Sequence, residues 1–119
     1  MTTQVLDRIV LQAGESIFRE GEPGDRAYVV QEGMIDIVKN ASDGEVVLGN
    51  IEKGGIFGEM ALIDDQPRMA SAVAASTTTV IVISRDVFQR KLQKCDPFVR
   101  GLLGIFVKNI RSMVEDRIN

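Results

Sequence analysis

The chain has 119 residues, 45% of them hydrophobic and 26% charged, the makeup of an ordinary globular protein with room for one core. Its formal net charge of −3 gives no general attraction for nucleic acid or an anionic membrane, so any anion site has to be local. Histidine is absent, which removes histidine-ligated metals, Ser-His and Cys-His nucleophile pairs and an imidazole pH switch.

Met1 to Gln4 shows neither the basic nor the apolar region of a secretory signal, and no apolar run approaches a membrane span; a cytoplasmic location is expected. Cys95 is the single cysteine and cannot form an intrachain disulfide, which fits a reducing compartment.

From Val5 to Ser84 short apolar runs alternate with turn residues. Strands are expected around Asp7–Leu11, Ser16–Phe18, Ala27–Gln31, Met34–Lys39, Val46–Ile51, Met69–Ala74 and Thr78–Ser84. Turn residues separate them at Gly14, Glu22-Pro23-Gly24-Asp25, Glu32-Gly33, Ser42-Asp43-Gly44 and Lys53-Gly54-Gly55. Many short strands at regular spacing point to a sandwich or barrel. Asp43-Gly44 reads as a hairpin turn, because both residues tolerate positive φ.

After Ser84 the pattern becomes helical. Ser84 is placed to cap a helix over Asp86–Gln93, with Asp86 complementing its dipole. Asp96-Pro97 starts another helix to about Arg117, with proline at a position where a missing N–H costs nothing. Val99, Leu102, Leu103, Phe106, Ile110, Met113 and Val114 share one broad face of it, and Lys108, Arg111, Glu115 and Asp116 take much of the other. Gly101 and Gly104 each cost about 1 kcal/mol there relative to alanine, so they mark either close packing or a bend.

Between the two regions lies Phe57 to Ala74, FGEMALIDDQPRMASAVA, with Arg68 nine positions after Glu59. Gly58 permits close approach of the backbone to a ligand. Glu59 to Leu62 can form one helical turn with free N–H groups. Arginine presents a planar fork that matches two phosphate oxygens, and an ionised glutamate accepts from a sugar hydroxyl. Two readings are open on these residues alone. One is a pocket for a small phosphate ester with a ribose hydroxyl; the other is a Glu59–Arg68 ion pair that merely pins a loop. Asp64 and Asp65 are adjacent and point apart, so a solvated loop is expected rather than acid–base work. Tyr28 and Cys95 are read as packing residues.

The wider pattern adds to this. Gly14-Glu15-Ser16-Ile17-Phe18 is followed by Gly21-Glu22-Pro23-Gly24-Asp25, Ala27-Tyr28-Val29-Val30 and Glu32-Gly33-Met34, then by Phe57-Gly58-Glu59-Met60-Ala61-Leu62 and Pro67-Arg68. This run, from Leu11 to Leu92, resembles the cyclic-nucleotide-binding domain of protein kinase A regulatory subunits, cyclic-nucleotide-gated channels and the bacterial catabolite activator protein. The resemblance implies a single domain over 1–119: an antiparallel double-stranded β-helix, a jelly-roll-like β-roll, over about 5–84. A phosphate-binding cassette at 57–74 and two C-terminal α-helices at about 85–94 and 97–117 complete it.

By that resemblance Arg68 pairs with the exocyclic oxygens of a cyclic phosphate, and Glu59 with the Gly58 N–H holds the ribose 2′-hydroxyl. The N–H groups of Ala61 and Met69 complete the cradle, with Met60 and Ala70 in the same ligand-binding set. Ile37 and Leu48 line the base. Phe106, Ile110 and Met113 are candidates to cover it, with core or dimer packing as their other role. Family members that favour cyclic GMP carry threonine or serine where this chain has Met69, so the implied ligand is cyclic AMP, then cyclic GMP. The function implied is a stand-alone, non-enzymatic regulatory domain with no metal or further cofactor, signalling through its last helix to a protein effector or a second subunit. The alternative is a member of this fold that has lost its ligand and serves in docking or dimerisation.

Overall fold

The computed structural model describes residues 7–118; Val5 and Leu6, where the roll was expected to begin, lie outside them. The chain forms β1 (Arg8–Leu11), β2 (Ser16–Phe18), β3 (Arg26–Glu32), β4 (Ile35–Ala41), β5 (Gly44–Ile51), β6 (Ile56–Phe57), α1 (Met60–Asp64), β7 (Ser71–Ala74), β8 (Thr78–Ser84), α2 (Arg85–Gln93) and α3 (Pro97–Ile118). Two four-stranded antiparallel sheets, ordered β1-β8-β3-β6 and β2-β7-β4-β5, make a β-roll followed by two helices. Each sheet interleaves strands far apart in sequence.

Period-two alternation decides what points inward. In β7, Ala72 and Ala74 are buried and their neighbours half-buried; in β8, Thr78 and Val80 are buried. Their partners across the ladders, Ile37 and Ile35 on β4 and Val30 on β3, continue the same surface. Leu11, Tyr28, Val30, Ile35, Phe57, Ala72, Ala74 and Val80 form the core. Tyr28 stacks on Phe57 at 5.2 Å; Cys95 is a free, half-buried thiol.

Several local expectations need correction. The β4–β5 hairpin closes at the Ala41–Gly44 pair, so Ser42 and Asp43 form the turn, and of Asp43 and Gly44 only Gly44 takes a positive φ, 118°. Ile56–Phe57 is a strand the sequence pattern did not single out. Added Cβ atoms at Gly101 and Gly104 would meet nothing within 4 Å, so neither marks close packing.

The helix starts behave as their capping residues require. The Ser84 hydroxyl accepts from the Val87 N–H at 3.2 Å, and an Asp96 carboxylate oxygen accepts from the Phe98 N–H at 2.8 Å. The buried side of α3 differs from the expected one. Val107 is its buried residue, flanked by half-buried Leu103, Arg111 and Val114, while Phe98, Val99, Leu102, Ile105, Phe106, Ile110 and Met113 are exposed. No helix among the described residues is long and apolar enough to cross a membrane.

Candidate functional site

The segment from β6 to β7 folds as a short helix between two glycine- and proline-fixed bends. Gly58 has φ 80°, and a Cβ there would lie 3.0 Å from Arg68 Nη1 and 3.2 Å from the Phe18 ring, so neither its backbone angle nor its space suits a side chain. Helix α1 ends at Asp65, which takes a left-handed φ of 56° and returns its N–H to the Ala61 carbonyl. Pro67 then leads into Arg68, whose backbone N–H donates to the Glu22 carbonyl at 2.8 Å and whose carbonyl accepts from Gly21 at 2.9 Å. The β2–β3 loop thus fixes the arginine from behind.

The Arg68 side chain is 5% exposed. Its guanidinium carbon sits 4.0 Å from the centre of the Phe18 ring, a cation–π contact. Nη1 donates to the Gly58 carbonyl at 2.6 Å and Nη2 to the Arg26 carbonyl at 2.7 Å. Buried Nε has no acceptor. Gly24 makes room for this placement, since a Cβ on it would lie 2.5 Å from that of Ala61 and 2.9 Å from Arg68 Cζ.

Two carbonyls and a ring face disperse the charge of Arg68 without neutralising it. No carboxylate among the described residues comes within salt-bridge distance. Glu59 in particular does not pair with it, which removes the loop-pinning ion pair as an account of these residues. Burial lowers the Arg68 pKa, opposed by Tyr28, Asp25, Glu22 and Glu59 in decreasing order. Burial raises that of Glu59, opposed by its own backbone N–H and then by Arg68. In both groups burial works against the charged form.

Glu59 and Arg68 line a cavity of about 200 Å³, together with Gly58, Met60, Ala61, Met69 and Ala70 from the cassette. Its apolar side is Phe18, Ile37, Ile51, Ile56 and Phe57. Ile37 is where the resemblance placed it. Leu48 is not among the lining residues: a bulge sets Ile37 opposite Gly49 and Val38 opposite Val47, leaving Leu48 as the extra residue, and Ile51 takes the lining position. Phe106, Ile110 and Met113 do not reach the cavity either, being 50%, 43% and 67% exposed.

Helix α3 contributes Arg111 instead. Its guanidinium grips both oxygens of Asp64 and donates to the Pro67 carbonyl at 3.1 Å. Asp64 and Arg111 side chains are each 21% exposed. Asp64 is therefore the anchor of α3 on the cassette and not a solvated loop residue. Nothing in the local sequence signals this pair, because the partners are 47 positions apart. A larger groove of about 610 Å³ lies between β8, α2 and α3, but it contains none of the cassette residues.

The fold is a β-roll whose cassette carries Gly58, Glu59 and Arg68 around a cavity, and comparison with known proteins gives its class. Residues 8–95 match the family model for the cyclic nucleotide-binding domain. The chain belongs to that family.

Among relatives, the regulatory subunit of cAMP-dependent protein kinase from Aspergillus niger is 41% identical over 95 residues, which are 80% of this chain and 23% of that protein. A CRP-like cAMP-activated global transcriptional regulator of Mycobacterium tuberculosis is 29% identical over 110 residues, 92% of this chain and 49% of the regulator. In structure, the cAMP-bound form of the EAL enzyme Bd1971 superposes with a TM-score of 0.88 at 29% identity, covering 93% of this chain and 30% of that one. The chain thus spans between about a quarter and a half of the length of these proteins.

Proposed function

We propose that this domain binds a cyclic nucleotide, cyclic AMP in preference to cyclic GMP, in the cavity at Arg68, and acts by binding and not by catalysis. One observation carries the reading: an arginine 5% exposed, with an orphaned Nε and, among the described residues, no carboxylate partner, beside a carboxylate that among the same residues lacks a cation. A buried charge without a counter-ion is costly. A cyclic phosphodiester supplies one negative charge to Arg68, and its ribose hydroxyl supplies a donor to Glu59. The backbone N–H groups of Met60 and Ala61, at the start of α1, and of Met69 have no backbone acceptor among the described residues and complete the cradle.

Charge-assisted hydrogen bonds contribute about 1.5–3 kcal/mol each, and micromolar affinity needs about 8 kcal/mol net. A few such bonds plus burial of the base against Ile37 and Ile51 reach that after the cost of immobilisation. ATP would bring further negative charges, and the other cation lining the cavity, Arg111, is already paired with Asp64, so ATP is expected to be rejected. Met69 has no side-chain donor for guanine, which favours the adenine ligand. The output runs through α3, which Arg111 fastens to the cassette, toward an effector or second subunit.

Titration calorimetry with cyclic AMP, cyclic GMP and ATP tests this. Heat with the cyclic nucleotides, strongest for cyclic AMP, and none with ATP is expected. Silence with both cyclic nucleotides would overturn the reading in favour of a docking module.

A further inference from the structure

Arg68 is not the only buried cation in the roll. Lys39, on β4, is 7% exposed. Its ammonium pairs with Glu20 Oε2 at 3.3 Å and donates to the Met69 carbonyl at 3.0 Å. Glu20 is itself fixed, since Oε1 accepts from the Asn40 N–H and its own N–H donates to the Ser71 hydroxyl, both at 2.9 Å. Lys39 does not line the cavity; it stands behind the cassette where the chain leaves Arg68 for β7.

Peptide geometry turns these contacts into a direction. In a trans peptide the N–H points opposite to the carbonyl of the same unit, and no cis peptide occurs among the described residues. The Arg68 carbonyl is held by Gly21, so the Met69 N–H points away from the β2–β3 loop. The Met69 carbonyl is held by Lys39, so the Ala70 N–H points away from Lys39. Ala70 is 4% exposed and lines the cavity, and its N–H has no backbone acceptor among the described residues. A buried amide donor left unpaired costs about 1–3 kcal/mol, which an anion in the cavity would recover.

We propose that the Lys39–Glu20 pair is a positioning device for the anion site: by gripping the Met69 carbonyl it turns the Ala70 N–H into the cavity as a further phosphate donor. An ion pair that only stabilised the sheets would need no third contact on the cassette backbone. The proposal rests on the cyclic-nucleotide reading of the same site and adds residues that touch no ligand themselves.

The test compares cyclic AMP with its two phosphorothioate diastereomers, in which one or the other exocyclic oxygen becomes sulfur, a weaker acceptor. Affinities are measured by calorimetry for wild type and Lys39→Met. In wild type, the diastereomer with sulfur facing Ala70 should bind less tightly than cyclic AMP. In Lys39→Met that discrimination should shrink by about tenfold, the loss of one hydrogen bond to a charged group, while the other diastereomer keeps its ratio to cyclic AMP. A general loosening of the fold would weaken all three ligands alike, and unchanged ratios would overturn the proposal. Should Lys39→Met fail to fold, the Ala70 amide proton of wild type decides: a downfield shift on saturation with cyclic AMP supports the role, and an unmoved resonance refutes it. Wild type binding none of the three ligands would instead remove the function itself, a result distinct from unchanged ratios.

Discussion

Lys39 and Arg68 are both almost fully buried, 7% and 5% exposed, yet among the described residues only Lys39 of the two has a carboxylate within reach. Glu20 neutralises Lys39, and three neighbouring backbone or side-chain groups fix the pair in place. Arg68 is met by two carbonyls and an aromatic face, and its Nε–H donates to nothing among the described residues. A satisfied buried charge is complete in the folded chain, whereas Arg68 is completed by the anion proposed for its cavity. The largest effect expected from this contrast is on binding. Arg68→Ala should weaken cyclic AMP by at least about 100-fold, the equivalent of two charge-assisted hydrogen bonds. Equal titration curves for Arg68→Ala and wild type would break the comparison at its root.

The same contrast predicts the opposite ranking for folding. Lys39→Met leaves Glu20 half-buried without its cation and should destabilise the ligand-free domain by about 2–3 kcal/mol. Arg68→Met removes an unneutralised charge along with two bonds to carbonyls, so its loss should be clearly smaller. Urea unfolding of the ligand-free variants measures both midpoints. A larger loss for Arg68→Met would mean that its present contacts are structural after all.

How much of this was legible in the sequence follows the distance between partners. The strands were placed because apolar runs and turn residues alternate, and the cassette because Gly58, Glu59 and Arg68 lie within a few turns of chain. Ile56–Phe57 escaped notice, being too short to show a period. Phe18 and Gly24 belong to the upstream runs that carry the resemblance, but nothing local aims them at Arg68, and Lys39 and Arg111 meet the cassette from other elements without any local mark. For α3 the sequence is apolar around much of the helix, so periodicity alone could not choose its buried side. Val107 and Arg111 chose it, through the ion pair with Asp64. The apolar stripe with Phe106 and Met113, which the sequence left free to pack on the roll, on a second copy or over a ligand, is exposed.

Arg111 sharpens the comparison from the other direction, as a cation with a carboxylate partner that nonetheless borders the cavity. The pair is partly buried, so Asp64→Asn and Arg111→Gln should each cost about 1 kcal/mol of stability. They should also loosen α3 from the cassette. Hydrogen exchange would register this as faster exchange along α3, with the β-sheets unchanged. Protection that stayed equal in both variants would show that Val107 alone seats the helix.

The smallest effect concerns Glu59, the anionic counterpart of Arg68. Burial raises its pKa, against the pull of its own N–H and of Arg68. A carboxyl whose pKa is raised by folding favours the folded state while protonated and penalises it once ionised. Below the ordinary carboxylate pKa, ligand-free wild type and Glu59→Gln should therefore respond alike to pH. As pH rises through the raised folded value, the wild-type protein should lose stability that Glu59→Gln retains. The variant's advantage in melting temperature should grow from acid to neutral pH, even as its affinity for cyclic AMP falls, because an amide oxygen accepts the ribose hydroxyl less strongly than a carboxylate. Melting curves across that range, without ligand, make the measurement. An advantage that shrank with rising pH would show an ionised Glu59 already stabilised by a cation, and Arg68 is the one whose charge acts on it.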